Sequence, residues 1–339
     1  MPNDLSVNGP WERPNIHNWP SFGLSSFTRI YDNDMIQVTQ DVSLNFHLDL
    51  CSRAYLPMPC TLTIAGVSSA ISSSNAIRLL ADSTITCDAE SGCTGLTVKH
   101  VKVTRSSSIS NKAVLDISGD GARITIDHTV FEDCIAEKAG GSVRALNGAV
   151  LDVTNSLFLR SSSSTSNGGA MAIVGAIASI VDSQFTDCAA PQGRGGALYV
   201  AGFSSYASPV RPSTVRLEGC QFSRNDAAEG GSLAVVTEST KATIVDCTFE
   251  ENSATQSGGA ASMIDSSQAT ISGSTFDNNQ ASGHGGGALH ASSSTLELGT
   301  NSFVRNSAPG GGGGALLWNG KERKQSAHLM DLDAVGDVK

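Results

Sequence analysis

Residues 242–260 read ATIVDCTFEENSATQSGGA, and residues 269–288 read ATISGSTFDNNQASGHGGGA. Each opens with an alternating, β-branched stretch, continues into Phe-x-x-Asn and closes on Gly-Gly-Ala. The alternation predicts a half-buried strand, and the recurrence of the whole block predicts a repeat architecture. Working outward, the phenylalanine recurs as Phe131, Phe158, Phe185, Phe222, Phe249, Phe276 and Phe303. The spacings are 27, 27, 37, 27, 27 and 27 residues, so one interval carries ten extra residues. Each Phe is followed 9 to 11 residues later by the second Gly of a pair, at Gly141, Gly169, Gly196, Gly231, Gly259, Gly287 and Gly314.

A unit of two or three short strands with no helix cannot bury its own inner face. Stacking units as coils buries it, with strands of successive coils pairing in parallel at about 4.8 Å. The expectation is an all-β chain, a right-handed parallel β-helix of about 27 residues per coil. Upstream, Leu96–His100 aligns with Ile124–His128 and puts Val103 in the phenylalanine column. Regular repeats are expected over 95–318 within a β-helix spanning 42–320. Residues 1–41 are expected to cap it and 321–339 to form a charged tail. Eight clear coils at that spacing give a rod of about 40 Å.

Columns of equal positions carry the next expectations. The phenylalanines form one internal stack, with the offset contacts aromatic rings favour. Three residues later stand Cys134, Ser161, Cys188, Asn225, Asn252, Asn279 and Asn306. The four asparagines are expected to hydrogen-bond one another and the turn backbone as a ladder. Two residues after each Phe stand Asp133, Arg160, Asp187, Arg224, Glu251, Asn278 and Arg305, which alternate in sign along most of the column. They read as an exposed charge ladder that favours one register. The glycine pairs permit positive φ or close approach; no Lys-Ser/Thr follows them, so they are not phosphate loops.

Gly-Gly-Ala-aliphatic at Gly168–Met171, Gly195–Leu198, Gly286–Leu289 and Gly313–Leu316, paired with Phe-x-x-Asn ending at Asn225, Asn252, Asn279 and Asn306, resembles the repeat of the chlamydial polymorphic outer membrane proteins. The likeness covers about residues 131–316 and departs from the pattern at Cys134, Ser161 and Cys188. It implies a β-helix of the pectate-lyase-like type, exposed at a surface and used in adhesion. The C-terminal β-barrel that anchors that family is not part of this sequence.

The composition narrows the function. The net charge is −10 and the pI about 5.1. No basic block occurs outside Lys321–Lys324, so nucleic acid is not an expected partner. The longest apolar run, Gly168–Val181, is too short to span a bilayer. Met1–Leu5 shows no basic or apolar leader, so no secretory signal is read. The cysteines are Cys51, Cys60, Cys87, Cys93, Cys134, Cys188, Cys220 and Cys247. Cys51/Cys60 and Cys87/Cys93 close short loops, and Cys220/Cys247 share a column on adjacent coils; these are the candidate disulfides. Cys134 and Cys188 lie two coils apart and read as buried fillers. Disulfides point to an oxidising compartment, hence an extracellular or cell-surface location.

Enzymatic β-helices act on polysaccharides with placed carboxylates. Gly283-His284-Gly285 resembles the Gly-His-Gly of polygalacturonases, but no Asp-Asp pair stands one coil upstream. No catalytic residue, metal ligand or cofactor is assigned. The ten extra residues fall at Phe203–Pro212, where Phe203, Tyr206 and Arg211 are the residue types that contact sugars or a protein partner. The leading expectation is a non-catalytic adhesion or recognition protein whose partner is a glycan or a surface protein of a host or neighbouring cell. The alternatives are a polysaccharide-active lyase, polygalacturonase or epimerase, and a structural piece of a larger surface protein.

Overall fold

The computed structural model describes residues 34–38, 42–44, 48–49, 60–66, 76–80, 84–106, 111–205 and 208–319. They form a parallel β-helix. Three ten-stranded sheets run its length, with a six-stranded sheet between the second and the third, and strands pair in chain order. In one coil, sheet 1 takes Lys241–Val245, sheet 2 Thr248–Glu250, sheet 3 Ser253–Ser257 and sheet 4 Ala261–Ile264. Strand Asp34–Val38 pairs in parallel with Cys60–Gly66, which places the first coil ahead of residue 42. The rest of the expected cap and the 321–339 tail lie outside the described residues.

The repeat length becomes the register. Phe222 pairs with Phe249 and Phe249 with Phe276; Val103 pairs with Phe131, as the upstream alignment requires. From Arg123–Asp127 onward, sheet 1 strands alternate between inward and outward positions; Ala242 and Ile244 are buried while Thr243 and Val245 face out. The seven phenylalanine rings stack with centroids 4.7–4.9 Å apart and planes within 8° of parallel. The coil rise therefore sets the ring spacing, and each interior ring touches two others.

The coil turns corners by single residues in the left-handed conformation. One corner joins sheet 1 to sheet 2 at His100, His128, Asn155, Asp182, Gly219, Asp246 and Gly273. The next follows each Phe, at Asp133, Arg160, Asp187, Arg224, Glu251, Asn278 and Arg305. Asn, Asp, His and Gly adopt this conformation at least cost, which accounts for the first column. The second holds arginine and glutamate, so the charged column occupies a strained corner as well as an exposed one. Its ion pairs run between coils at Asp133–Arg160 (2.7 Å) and Asp187–Arg224 (2.8 Å). Arg305 departs from the expected ladder: it reaches Asp277, one residue before Asn278.

Behind this corner stands the asparagine ladder. Asn225 Nδ2 donates to Asn252 Oδ1 (3.0 Å), Asn252 to Asn279 (2.9 Å) and Asn279 to Asn306 (2.9 Å). Each Nδ2 also donates to the phenylalanine carbonyl of the coil before it: Phe185, Phe222, Phe249 and Phe276. Cys134 and Cys188 keep that one bond, as thiols 3.7 Å from Val103 O and 3.4 Å from Phe158 O. Burial pushes both thiols up to about 12.

A second ladder went unread in the sequence. Two residues before each Phe stand Thr129, Ser156, Ser183, Cys220, Cys247, Ser274 and Asn301, all buried. Ser156 Oγ accepts from Thr129 N, Ser183 Oγ from Ser156 N, Ser274 Oγ from Cys247 N and Asn301 Oδ1 from Ser274 N. Small side chains with an acceptor at one column were the available signal.

In five of the seven pairs the two glycines have different roles. Gly140, Gly168, Gly195, Gly230 and Gly258 hold positive φ. The second glycine lies against the next coil: a Cβ on Gly231 would stand 2.1 Å from Gly259 O and 2.4 Å from Ser253 O.

Of the candidate disulfides, Cys87–Cys93 is formed, with Cα atoms 5.3 Å apart. Cys51 lies outside the described residues, so the Cys51/Cys60 pairing does too. Cys220 and Cys247 are free thiols, which corrects the expected bridge. Stacked residues on parallel coils point the same way, so their Cβ atoms stay about a coil rise apart, longer than the ~3.8 Å a disulfide prefers. Each sulfur instead bonds a carbonyl: Cys220 to Ile180 O (3.3 Å) and Cys247 to Val245 O (3.2 Å).

Candidate functional site

The ten-residue excess folds as an antiparallel hairpin, Phe203–Ser205 with Ser208–Arg211, set into the turn between sheet 4 and sheet 1. Its base is held from three coils. Gly202 N donates to Thr237 Oγ1 and Thr240 Oγ1 of the following coil, both at 2.7 Å. Ser213 Oγ donates to Ala201 O (2.6 Å) across the base and accepts from Ala176 N of the preceding coil (3.1 Å). The hairpin then reaches back along the rod, and Arg211 Nη1 meets Asp120 Oδ1 at 2.5 Å, 91 residues away in sequence. The Arg211 guanidinium holds the Asp120 carboxyl below its ordinary range.

Glycines clear the surface on which this happens. A Cβ on Gly175 would stand 2.8 Å from Phe203 Cβ and 3.1 Å from Arg211 Cβ. One on Gly148 would stand 1.9 Å from Asp120 Oδ1. Both also hold positive φ, at +61° and +90°. They recur in one turn on successive coils, and nothing in the sequence around them marks what they accommodate.

The hairpin's sidedness redirects the sequence expectation. Phe203 and Arg211 are cross-strand partners, and both Cβ atoms lie over Gly175. Partners across a hairpin project to the same face, so the two residues expected to meet a ligand turn toward the rod and attach the hairpin. Val210, the neighbour of Arg211, projects the other way and is 57% exposed. Ile177, two residues past Gly175 in sheet 1, is 52% exposed. These are the two large hydrophobic residues most exposed among those described. Tyr206 lies outside the described residues. His284 is exposed on a connector whose backbone is packed by Gly310 and Gly312 of the next coil.

Among the described residues there is no cluster of three or more His, Cys, Asp or Glu placed to hold a metal ion. No helix among them is long and apolar enough to cross a membrane.

A family described as a right handed beta helix region matches residues 200–326, a span that includes the hairpin and the most regular coils. Fold and family match agree on a right-handed parallel β-helix of the kind shared by pectate-lyase-like proteins. No curated protein matches the chain, and no solved structure matches it.

Proposed function

We propose that this chain is a non-catalytic recognition rod, exposed at a cell surface or outside the cell, that engages a glycan or a surface protein through the outer face of the 203–211 hairpin. The observation that carries the reading is the mounting of the hairpin. An insertion tolerated at no cost would hang from its two ends. This one is bonded at its base to two neighbouring coils and tied at its edge to Asp120. A surface held in advance loses less entropy on binding. Exposed apolar groups ringed by charged ones are the usual make-up of an interaction centre; here Val210 adjoins Arg211, which pairs with Asp120, and Ile177 stands two strands along sheet 1 from Arg123, which pairs with Asp152. The Cys87–Cys93 disulfide supports an oxidising compartment. The likeness of the repeats to those of the chlamydial polymorphic outer membrane proteins supports a part in adhesion.

The test is retention on immobilised glycans (pectin, alginate and others) and on intact cells, with product release followed in parallel. Retention weakened at least tenfold by Val210→Asp and Ile177→Asp, at unchanged folding, supports the proposal. Retention that survives both variants and deletion of 203–211 removes the hairpin from it. New reducing or unsaturated ends would replace it with a polysaccharide-active enzyme.

A further inference from the structure

At the corner between sheets 1 and 2, far from the hairpin in sequence, two imidazoles lie on adjacent coils. His100 and His128 are one coil apart, their ring centroids 5.2 Å apart and their planes tilted by 39°. Both occupy the left-handed corner, at φ 55° and 45°. The corner is secured by the backbone, since His100 N donates to Asp127 O and His128 N to Thr154 O. The two rings are thus brought together by the coil repeat itself.

A carboxylate stands behind one of them. Asp127 Oδ1 is 2.8 Å from His128 Nδ1 and accepts from Thr154 Oγ1 at 2.7 Å. The carboxylate held against Nδ1 fixes the ring's orientation and makes Nε2 the nitrogen left to offer its lone pair to a ligand. That carboxylate–histidine arrangement is the one that commonly stands behind a metal-bound imidazole. The His128 side chain is 46% exposed, so the lone pair is within reach of solvent. His100 is the complement: its Nδ1 is buried and makes no hydrogen bond. A buried imidazole nitrogen without a partner is costly. A half-turn of the ring places a carbon in that position and releases the nitrogen for a ligand.

We propose that His100 and His128, with Asp127 behind His128, bind one divalent first-row transition ion of the copper or zinc type, which links two successive coils. Imidazole nitrogen suits these ions, whereas magnesium and calcium prefer oxygen. Two protein nitrogens leave the remaining positions to water. Lys99 stands in register with Asp127 on the neighbouring strand and opposes the ion's charge; Asp127 offsets it. Because the ion joins residues 28 apart in sequence, binding also stabilises the folded coil by mass action.

The experiment titrates the full chain with Cu²⁺ and with Zn²⁺ by calorimetry, and counts nitrogen ligands of the Cu²⁺ complex by electron paramagnetic resonance. The variants are His100→Asn and His128→Asn, since Asn155 already occupies the same corner one coil on and keeps its fold. Asp127→Asn tests the supporting carboxylate, and His284→Asn and His290→Asn serve as controls. One ion per chain is expected, with two nitrogens, and Cu²⁺ held more tightly than Zn²⁺. Either corner variant should weaken binding by at least about tenfold and drop one nitrogen, and Asp127→Asn should weaken it by about 10-fold or more. The controls should bind as the parent does. Failure to bind either ion would leave the pair as two rings in contact and overturn the proposal. Binding unchanged in both corner variants would mean an adventitious ion only, and would overturn it equally.

Discussion

Replacing Asn252 by alanine tests whether the coils are held by the buried amide ladder or only by apolar packing. Asn252 is 1% exposed. Its Nδ2 donates to Phe222 O and Asn279 Oδ1, and its Oδ1 accepts from Asn225 N and Asn225 Nδ2. Alanine removes all four bonds and leaves Asn225 N, one Asn225 amide proton and a lone pair of Phe222 O facing a dry gap. Each unsatisfied buried group costs roughly 1–3 kcal/mol, although a carbonyl that keeps other partners sits at the low end. The sum is about 3–7 kcal/mol. Asn306 is the internal control, because it ends the ladder and is only partly buried, so water can replace its lost bonds. Asn306→Ala should cost about 1 kcal/mol. Repeat arrays need not unfold in one step, so urea unfolding should be paired with amide exchange. The exchange should show protection lost at Asn225 and the flanking coils in Asn252→Ala. A midpoint equal to that of the parent, or an Asn306→Ala effect as large as that at Asn252, would refute the reasoning.

Other substitutions probe separate parts of the rod. Phe249→Ala, in a ring with neighbours 4.7 and 4.8 Å away and no exposure, should cost about 3–5 kcal/mol by denaturant titration. Gly231→Ala should abolish soluble expression, because its Cβ meets backbone oxygen of the next coil; Gly121→Ala, with positive φ but nothing within 4 Å, should cost only about 1 kcal/mol. Arg211→Ala should leave the melting temperature unchanged yet open the hairpin to proteolysis at neutral pH. In the parent, the Asp120 carboxyl is depressed by Arg211, so the attachment is complete above the ordinary carboxylate range. It is lost only as pH falls through the lowered value; protease resistance that declines on raising the pH would contradict this. Cys134 and Cys188, with thiols raised to about 12 by burial, should resist alkylation in the native protein and react once it is unfolded, as peptide mass mapping would show.

The regular part of this fold was open to reading because a solenoid writes its long-range contacts at one constant sequence offset. Phe222, Phe249 and Phe276 differ by 27 residues, and that offset is at once the period of the repeat and the register that sets one ring on the next. The same offset exposed the asparagine column and the alternating charges. What escaped were contacts that do not follow the period, or that depend on which way a side chain leaves a strand. The acceptor ladder through Ser156, Ser183 and Ser274 uses small residues with no distinctive chemistry. The Arg211–Asp120 pair spans 91 residues and joins a coil to a residue of the insertion, which has no counterpart in the repeat.

The sequence by itself determined the coil, its length and its interior columns, since only stacking could bury an inner face so regularly spaced. Three matters were decided by the tertiary structure alone. Cys220 and Cys247 share a column, but parallel neighbours point the same way and their sulfurs form no disulfide. Phe203 and Arg211 look like a binding pair, but the hairpin's pleat turns them to the rod and sends Val210 outward. His100 and His128 look like turn residues, and only the rise of the coil sets their rings side by side with Asp127 behind. In each case the residue types were visible and the outcome rested on direction, which is set by the backbone of neighbouring coils.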